Sequence, residues 1–269
     1  MCGIFGFILS KPLSMKKVFA VLKKLEVSKY PDEEFPVGGY GAGIAIMFPD
    51  GDVRIEKVGK TADSPAGELE EIVKNACIMN AGLANAKVLL GHVRNPSPGN
   101  MGTVKFKEAA QPFVGHFEQQ LTVVSVHNGT VENWKDLRAD LKEHVFESEK
   151  AGSFIDSEVI PHYFGEILLE QEDVDGAAYE LLDTLEGSNA AALLQIDEEN
   201  AFLHLIYKGK PRGLTVWANN KGEVIFCSRP EPVEKELESL LLSRKFKEKI
   251  SISHQEDAGL KLTFRVPTQ

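Results

Sequence analysis

The chain opens with Met1-Cys2-Gly3-Ile4-Phe5-Gly6-Phe7-Ile8-Leu9, and the prediction of the fold starts from these residues. Residues 2–9 are short and almost wholly apolar, which is typical of a strand that is covered on both faces. No basic segment precedes the apolar residues, so the stretch does not resemble a secretory signal. The sequence therefore predicts a buried strand at the start of the chain, with a thiol as its first side chain.

Similar apolar runs recur along the chain, with helical patterns between them. Residues 42–48, the turn residues 49–52 and the run 53–58 predict a hairpin. We expect further strands at 87–94, 121–127, 190–196, 201–207, 214–218, 223–228 and 260–266. Helical periodicity predicts helices at 16–27, 66–80, 133–145, 157–169, 173–185 and 232–243. Because the strands arrive largely as hairpins, this order favours an α+β layered domain with antiparallel sheets.

Composition narrows the class of protein. The 269 residues are 43% apolar, which is enough for a sizeable core, and no repeat or linker divides them, so we expect one domain over 1–269. The net charge of −10 disfavours nucleic acid or an anionic membrane as the main partner. No apolar run approaches the roughly 20 residues that span a bilayer. The sequence thus predicts a cytoplasmic globular protein.

Cysteines and glycines give no sign of a metal or cofactor. Cys2, Cys77 and Cys227 are too few for a disulfide scaffold and lack the paired spacing of a zinc site. The histidines are scattered without ligand spacing. The segment 39–43 (GYGAG) does not match the dinucleotide fingerprint, and no P-loop is present. We therefore predict neither a metal nor a cofactor.

Cys2 is the residue that most directly suggests chemistry. If Met1 is removed, the free α-amine of Cys2 has a pKa near 7.7–8, against about 8.5 for the thiol. The amine can then take the thiol proton directly or through a water molecule, so one residue supplies nucleophile and base. The alternative is a small buried hydrophobic residue at the start of a strand.

Polar residues end several of the predicted strands. Asn128 and Gly129 follow one strand and can aim a side-chain NH2 and a backbone N–H at one point, as an oxyanion hole requires, although Asn-Gly also suits a tight turn. Arg94 ends another strand and could bind a carboxylate or form a surface ion pair. Asp156 could bind an ammonium group or cap the helix that follows. The segments 28–40 and 96–112 are the expected long loops.

Several segments, taken in order, resemble the glutaminase domain of class II glutamine amidotransferases, in the N-terminal nucleophile hydrolase superfamily. The resemblance covers about residues 1–230 and rests on MCGIFG (1–6), GYGAGIAI (39–46), GHVR (91–94), AAQPF (109–113), VHNGTVEN (126–133) and IDSEVI (155–160). It implies a four-layer αββα sandwich of two antiparallel sheets.

The resemblance also implies roles for the residues in these segments. Cys2 would attack the carboxamide of L-glutamine to give a γ-glutamyl thioester and ammonia, with its own amine as base. Asn128 and Gly129 would stabilise the oxyanion. Substrate binding is assigned to Arg94 for the α-carboxylate, to Asp156 for the α-ammonium and also to His127.

Two departures from the family pattern concern the loops around this site. Gly38, Gly39 and Gly41 occupy a segment that usually begins with an arginine, and Asn95 replaces a residue that is commonly aromatic. Both bear on the loop that closes over bound glutamine. Neither affects the expected nucleophile or oxyanion donors.

The expected partner is a separate ammonia-accepting synthase subunit. About 40 residues follow the resembling region, whereas a barrel-type synthase needs roughly 200–250. We therefore expect a stand-alone glutaminase subunit, with a glutamate-synthase-like partner by analogy and a possible homo-oligomer. Two alternatives stay open. One is an amidohydrolase for another acyl-amide, and the other is a non-catalytic regulatory or binding subunit, which would follow if Met1 is retained.

Overall fold

Strand β1 (Gly3–Ser14) lies in the middle of a seven-stranded sheet in the computed structural model, which describes residues 2–79, 81–118, 120–171 and 173–267. The remaining strands are β2 (Gly41–Met47), β3 (Val53–Gly59), β4 (Asn85–Val93), β5 (Phe113–His116), β6 (Thr122–Gly129), β7 (Asn189–Ile196), β8 (Ala201–Gly209), β9 (Leu214–Ala218), β10 (Val224–Cys227), β11 (Glu248–Ile252) and β12 (Ala258–Arg265). The helices are α1 (Met15–Glu26), α2 (Pro65–Met79), α3 (Trp134–Asp140), α4 (Val159–Glu170), α5 (Val174–Thr184), α6 (Pro230–Glu236) and α7 (Glu238–Ser243).

The strands form two antiparallel sheets that pack face to face. The first has the order β11-β9-β10-β1-β4-β2-β3, and the second has the order β12-β8-β7-β6-β5. One apolar cluster fills the space between the sheets. A second packs the first sheet against α1, α2, α6 and α7, and a third packs the other sheet against α3, α4 and α5. The predicted α+β fold, a four-layer αββα sandwich, is confirmed.

Strand alternation decides which side chains enter the space between the sheets. In β1, Ile4 and Ile8 point into that space, whereas Phe5 and Phe7 pack against helices. In β6, Val124 and Val126 point between the sheets. Asn128 therefore shares the inter-sheet face, and His127 lies on the helix side.

Strand and helix boundaries differ from the prediction in several places. The helix expected at 133–145 ends at Asp140, because the following segment turns inward to bury Phe146 and Ser148. The helix expected at 232–243 is two short helices, α6 and α7. Residue 80, the last of another predicted helix, lies outside the described residues.

Strands β5 and β11 were not predicted. Strand β5 has only four residues, and β11 is an exposed edge strand with no buried face for an alternating pattern to report. Among the described residues, no helix has the length and apolar character that crossing a membrane requires.

Candidate active site

Four of the six predicted site residues line one cavity of about 480 Å³. Cys2 precedes β1, Arg94 follows β4, Gly129 ends β6 and Asp156 begins a 3-10 turn before α4. Because β1 runs antiparallel to β4, the start of β1 lies beside the end of β4, at the same end of the two strands. The sandwich therefore brings a thiol, a cation, a glycine N–H and a carboxylate together.

The Cys2 side chain is half-buried and contacts the backbone of Asn95. The backbone N–H of Asn95 donates to the Cys2 sulfur at 3.4 Å, and the thiol lies 3.5 Å from the Asn95 carbonyl oxygen. The side-chain amide of Asn95 donates to the carbonyl of Pro36 at 2.7 Å. Asn95 thus holds both the sulfur and the loop that includes Pro36.

Arg94 is 3% exposed, and its guanidinium is anchored on one side only. Nη2 donates to Thr103 Oγ1 at 2.6 Å, and Nη1 donates to the Thr103 carbonyl at 3.2 Å. Burial lowers the pKa of Arg94, but a guanidinium stays charged at any physiological pH. No described carboxylate forms an ion pair with it. Gly41 lies beside Arg94 with φ 153°, and a Cβ there would lie 3.1 Å from the Val58 carbonyl oxygen and 3.4 Å from the Arg94 side chain.

Asp156 presents the opposite charge on the same cavity. Its Oδ2 accepts the backbone N–H of Val131 at 2.9 Å. Burial raises the pKa of Asp156, and no described cation pairs with its carboxylate. A bound ammonium group would supply the missing counter-charge.

The structure does not bring His127 to the cavity wall. Nε2 of His127 lies 3.0 Å from Asn189 Oδ1, and Nδ1 lies 2.8 Å from Ser157 Oγ. Since the Asn189 NH2 donates to the carbonyl of Glu186, its oxygen faces the ring and Nε2 must carry the proton. Burial lowers the pKa of His127 to about 4, so the ring is neutral and the hydroxyl of Ser157 donates to Nδ1.

Asn128 is fully buried behind the cavity wall rather than on it. Asn128 and Gly129 pair with Ala190 and Asn189 in the sheet, so the tight turn that Asn-Gly allowed is wrong. Gly129 has φ 149°, and a Cβ there would lie 1.9 Å from the Ser188 carbonyl oxygen. Only glycine fits this strand end, which keeps the Gly129 backbone open to the cavity.

Sequence reasoning missed two residues that support the site. The Gln111 amide binds both backbone groups of His127, accepting its N–H and donating to its carbonyl at 3.1 Å. Gln111 belongs to the quoted segment AAQPF, which was a usable signal. Thr103, the anchor of Arg94, ends a 3-10 helix (Pro98–Thr103) within the segment 96–112 that was expected to be a loop, and it belongs to no motif. Within the described residues, no group of three or more His, Cys, Asp or Glu side chains is arranged to hold a metal ion.

The four-layer αββα sandwich is the fold of the N-terminal nucleophile hydrolases. A family model described as "Glutamine amidotransferase domain" matches residues 100–234. The chain belongs to the class II glutamine amidotransferase family.

Curated relatives support this membership. The chain is 28% identical over 206 residues to the glutamine–fructose-6-phosphate aminotransferase (isomerizing) of Sulfolobus acidocaldarius, covering 75% of this chain and 30% of that protein. It is 31% identical over 207 residues to the enzyme of the same name from Sulfurisphaera tokodaii, covering 75% of this chain and 30% of that protein. The chain thus spans about 30% of the length of these relatives.

Solved structures share the fold at low sequence identity. The glutamine phosphoribosylpyrophosphate amidotransferase of B. subtilis has a TM-score of 0.58 at 17% identity, covering 100% of this chain and 50% of that chain. A structure titled as the allosteric regulatory enzyme of purine biosynthesis has a TM-score of 0.59 at 16% identity, with the same coverage. At these identities the likeness shows the fold alone.

Proposed function

We propose that this chain, as one domain over residues 1–269, hydrolyses L-glutamine to L-glutamate and ammonia through a γ-glutamyl thioester on Cys2. The observation that carries the proposal is the pair of unmatched charges in one cavity. Arg94 and Asp156 both line it, and neither forms an ion pair with a described residue. A buried charge without a partner is costly, and a free amino acid supplies both missing partners at once.

The reaction uses the sulfur and the amine of the same residue. Once Met1 has been removed, the α-amine of Cys2 takes the thiol proton, and the sulfur bonds to the carboxamide carbon. The oxyanion that forms is stabilised by the Gly129 N–H on the cavity wall. The amide of Asn128 is the second expected donor, and it reaches the oxyanion only if its side chain turns towards the cavity from its place behind the wall. The C–N bond then breaks, and ammonia leaves with the proton that the amine returns. Water adds to the thioester, and the C–S bond breaks to release glutamate. Met1 itself lies outside the described residues.

Arg94 and Asp156 hold the substrate in this scheme. Arg94 binds the α-carboxylate with the guanidinium N–H groups that Thr103 leaves free, and Asp156 binds the α-ammonium. His127 acts one step away from the substrate, since its ring bonds Ser157 and Asn189. Both charged groups on the α-carbon of glutamine are thus fixed, so that the carboxamide at its other end reaches Cys2.

We further propose that the ammonia passes to a separate synthase subunit, in the reducing cytoplasm, where a free Cys2 thiol persists. The three cysteines are free thiols in the structure, which is compatible with that compartment. Co-purification of a synthase subunit from native cells would support this step. Complete ammonia-dependent synthesis by this chain alone would contradict it.

Ammonia release tests the hydrolysis itself. The protein is first weighed intact to select molecules that lack Met1, and glutamine is compared with a panel of hydrophobic acyl amides. We expect release from glutamine, and its loss in Cys2→Ala but not in the matched variant Cys77→Ala on α2. Activity on the acyl amides with none on glutamine would contradict the proposal.

A further inference from the structure

The pairing of β5 with β6 stops before it reaches the end of β6 that borders the cavity. The pair nearest to that end joins Phe113 to Ser125. Gln111 lies two residues before Phe113, so the same register would place its backbone opposite His127. The described residues form no strand pair at that position. Beyond Ser125, this edge of β6 therefore has no described strand beside it.

The side chain of Gln111 takes the place of the missing strand. Its Oε1 accepts the His127 N–H at 2.5 Å, and its Nε2 donates to the His127 carbonyl at 3.1 Å. A primary amide thus offers His127 the same acceptor and donor that a residue of a neighbouring antiparallel strand would offer. Gln111 is 4% exposed, so both hydrogen bonds are shielded from water.

The backbone of Gln111 is held in turn by β2 of the other sheet. A Cβ at Gly43 would lie 2.1 Å from the Gln111 carbonyl oxygen and 3.0 Å from Cδ of Pro112. Only glycine admits a backbone this closely. Gln111 is therefore fixed against one sheet through its main chain and against the other sheet through its side chain.

The N–H of Gly129 lies on the same edge of β6 as the groups that Gln111 binds. Successive N–H groups of an antiparallel strand point to opposite edges. The Thr130 N–H donates to the Ser188 carbonyl at 2.9 Å, on the β7 side, whereas the His127 N–H points to Gln111. Gly129, two residues after His127, therefore directs its N–H away from β7. Because Gly129 lines the cavity, this N–H faces the cavity and not a described strand.

We propose that Gln111 is a positioning residue for the oxyanion hole: its amide replaces a strand beside His127, and it thereby fixes the end of β6 while the Gly129 N–H stays unpaired. A backbone strand that continued along this edge would cover that N–H, whereas a side chain ends after one residue. The inference rests on the proposed hydrolysis of glutamine. A donor that is fixed and unpaired beforehand needs no reorganisation when the oxyanion forms.

Steady-state kinetics of Gln111→Met test this role, because methionine fills a similar volume but forms neither hydrogen bond to His127. We expect kcat for glutamine to fall about 10- to 100-fold, less than the 10²- to 10³-fold typical of losing an oxyanion donor outright. KM should stay within about twofold, since Arg94 and Asp156 keep their contacts.

Gln195→Met is the matched control. Gln195 is 3% exposed in β7, and its Oε1 lies 3.1 Å from Nε2 of His204. The substitution removes the same amide from an equally buried glutamine of the same sheet, and kcat should stay within about twofold of the wild type. A loss of kcat equal to that of Gln111→Met would overturn the inference.

Alkylation of Cys2 by iodoacetamide separates positioning from a general loss of structure. This reaction displaces iodide from a saturated carbon and forms no oxyanion, so the mapped rate at Cys2 in Gln111→Met should stay within about twofold of the wild type. A fall in the alkylation rate that matches the fall in kcat would overturn the inference. So would an unchanged kcat, or a loss expressed in KM, which would show that Gln111 contacts glutamine directly. A wild-type protein without Met1 that releases no ammonia from glutamine would instead overturn the proposed function, and the inference with it.

Discussion

The sulfur of Cys2 lies 3.4 Å from the backbone nitrogen of Asn95, and the side chain of Asn95 binds the carbonyl of Pro36. Pro36 belongs to the loop 28–40, which Glu33 fastens to the sandwich through ion pairs with Arg212 and Arg229. The residue that touches the expected nucleophile therefore also holds the adjacent loop. In the sequence, Asn95 and the glycine segment that begins at Gly38, at the end of this loop, depart from the family pattern.

Replacing Asn95 with alanine should weaken glutamine binding while leaving the chemical step largely intact. The backbone N–H that faces Cys2 is retained, and only the side-chain bond to Pro36 is lost. One hydrogen bond of this kind contributes about 0.5–1.5 kcal/mol, so KM should rise about 2- to 10-fold. Steady-state kinetics measure this, with Asn200→Ala in the distant β7–β8 turn as control. A large fall in kcat at constant KM would contradict the account.

Thr103→Val should weaken the binding of the substrate α-carboxylate by Arg94. Valine matches threonine in shape but cannot accept the Arg94 Nη2 bond at 2.6 Å. Hydrogen bonds to charged groups contribute about 1.5–3 kcal/mol, so we expect KM to rise about tenfold or more. Thr122→Val, at the far end of β6, should leave KM unchanged. An unchanged KM in Thr103→Val would show that the Thr103 carbonyl alone positions the guanidinium.

Asp156→Asn should stabilise the fold and abolish tight substrate binding. Burial raises the pKa of Asp156, so its ionised form disfavours the folded state at neutral pH, and asparagine removes that charge while still accepting the Val131 N–H. Thermal unfolding at pH 7 should move to higher temperature. KM for glutamine should rise about 30-fold or more, since a buried partner of the ammonium is lost. A lower unfolding temperature, or an unchanged KM, would refute this prediction.

His204 should make the fold sensitive to acid in a definite pH range. It is fully buried, bonded to Gln195 and Thr263, and burial lowers its pKa to about 4. Its unfolded pKa is near 6.5, so its contribution to stability is complete above that pH and is lost as the pH falls towards 4. Relative to His204→Gln, the wild type should lose about 2 kcal/mol between pH 7 and pH 4.5 in urea unfolding. Parallel pH profiles would disprove the assignment.

The sequence predicted those features that depend on local pattern. Strand β1 follows from a short continuous apolar run, and the hairpin of β2 and β3 follows from two strand-like runs on either side of the turn residues 49–52. The ends of these strands and of β6 bring Cys2, Arg94 and Gly129 to one cavity. What it missed depends on distant partners. Ser157 and Asn189, which lie 30 and 62 residues further along the chain, form hydrogen bonds with the imidazole ring of His127. Thr103 has no local pattern that marks it as the anchor of Arg94.

Covalent labelling with a glutamine analogue identifies both the nucleophile and the substrate class. The protein lacking Met1, verified by intact mass, is treated with a diazo-ketone analogue of glutamine, and the modified residue is mapped. We predict one label, on Cys2, prevented by excess glutamine and absent from Cys77 and from Cys227, whose buried thiol has its pKa raised to about 12. A label on another residue would contradict the proposed role of Cys2. So would protein that hydrolyses glutamine but is not labelled on Cys2 by the analogue.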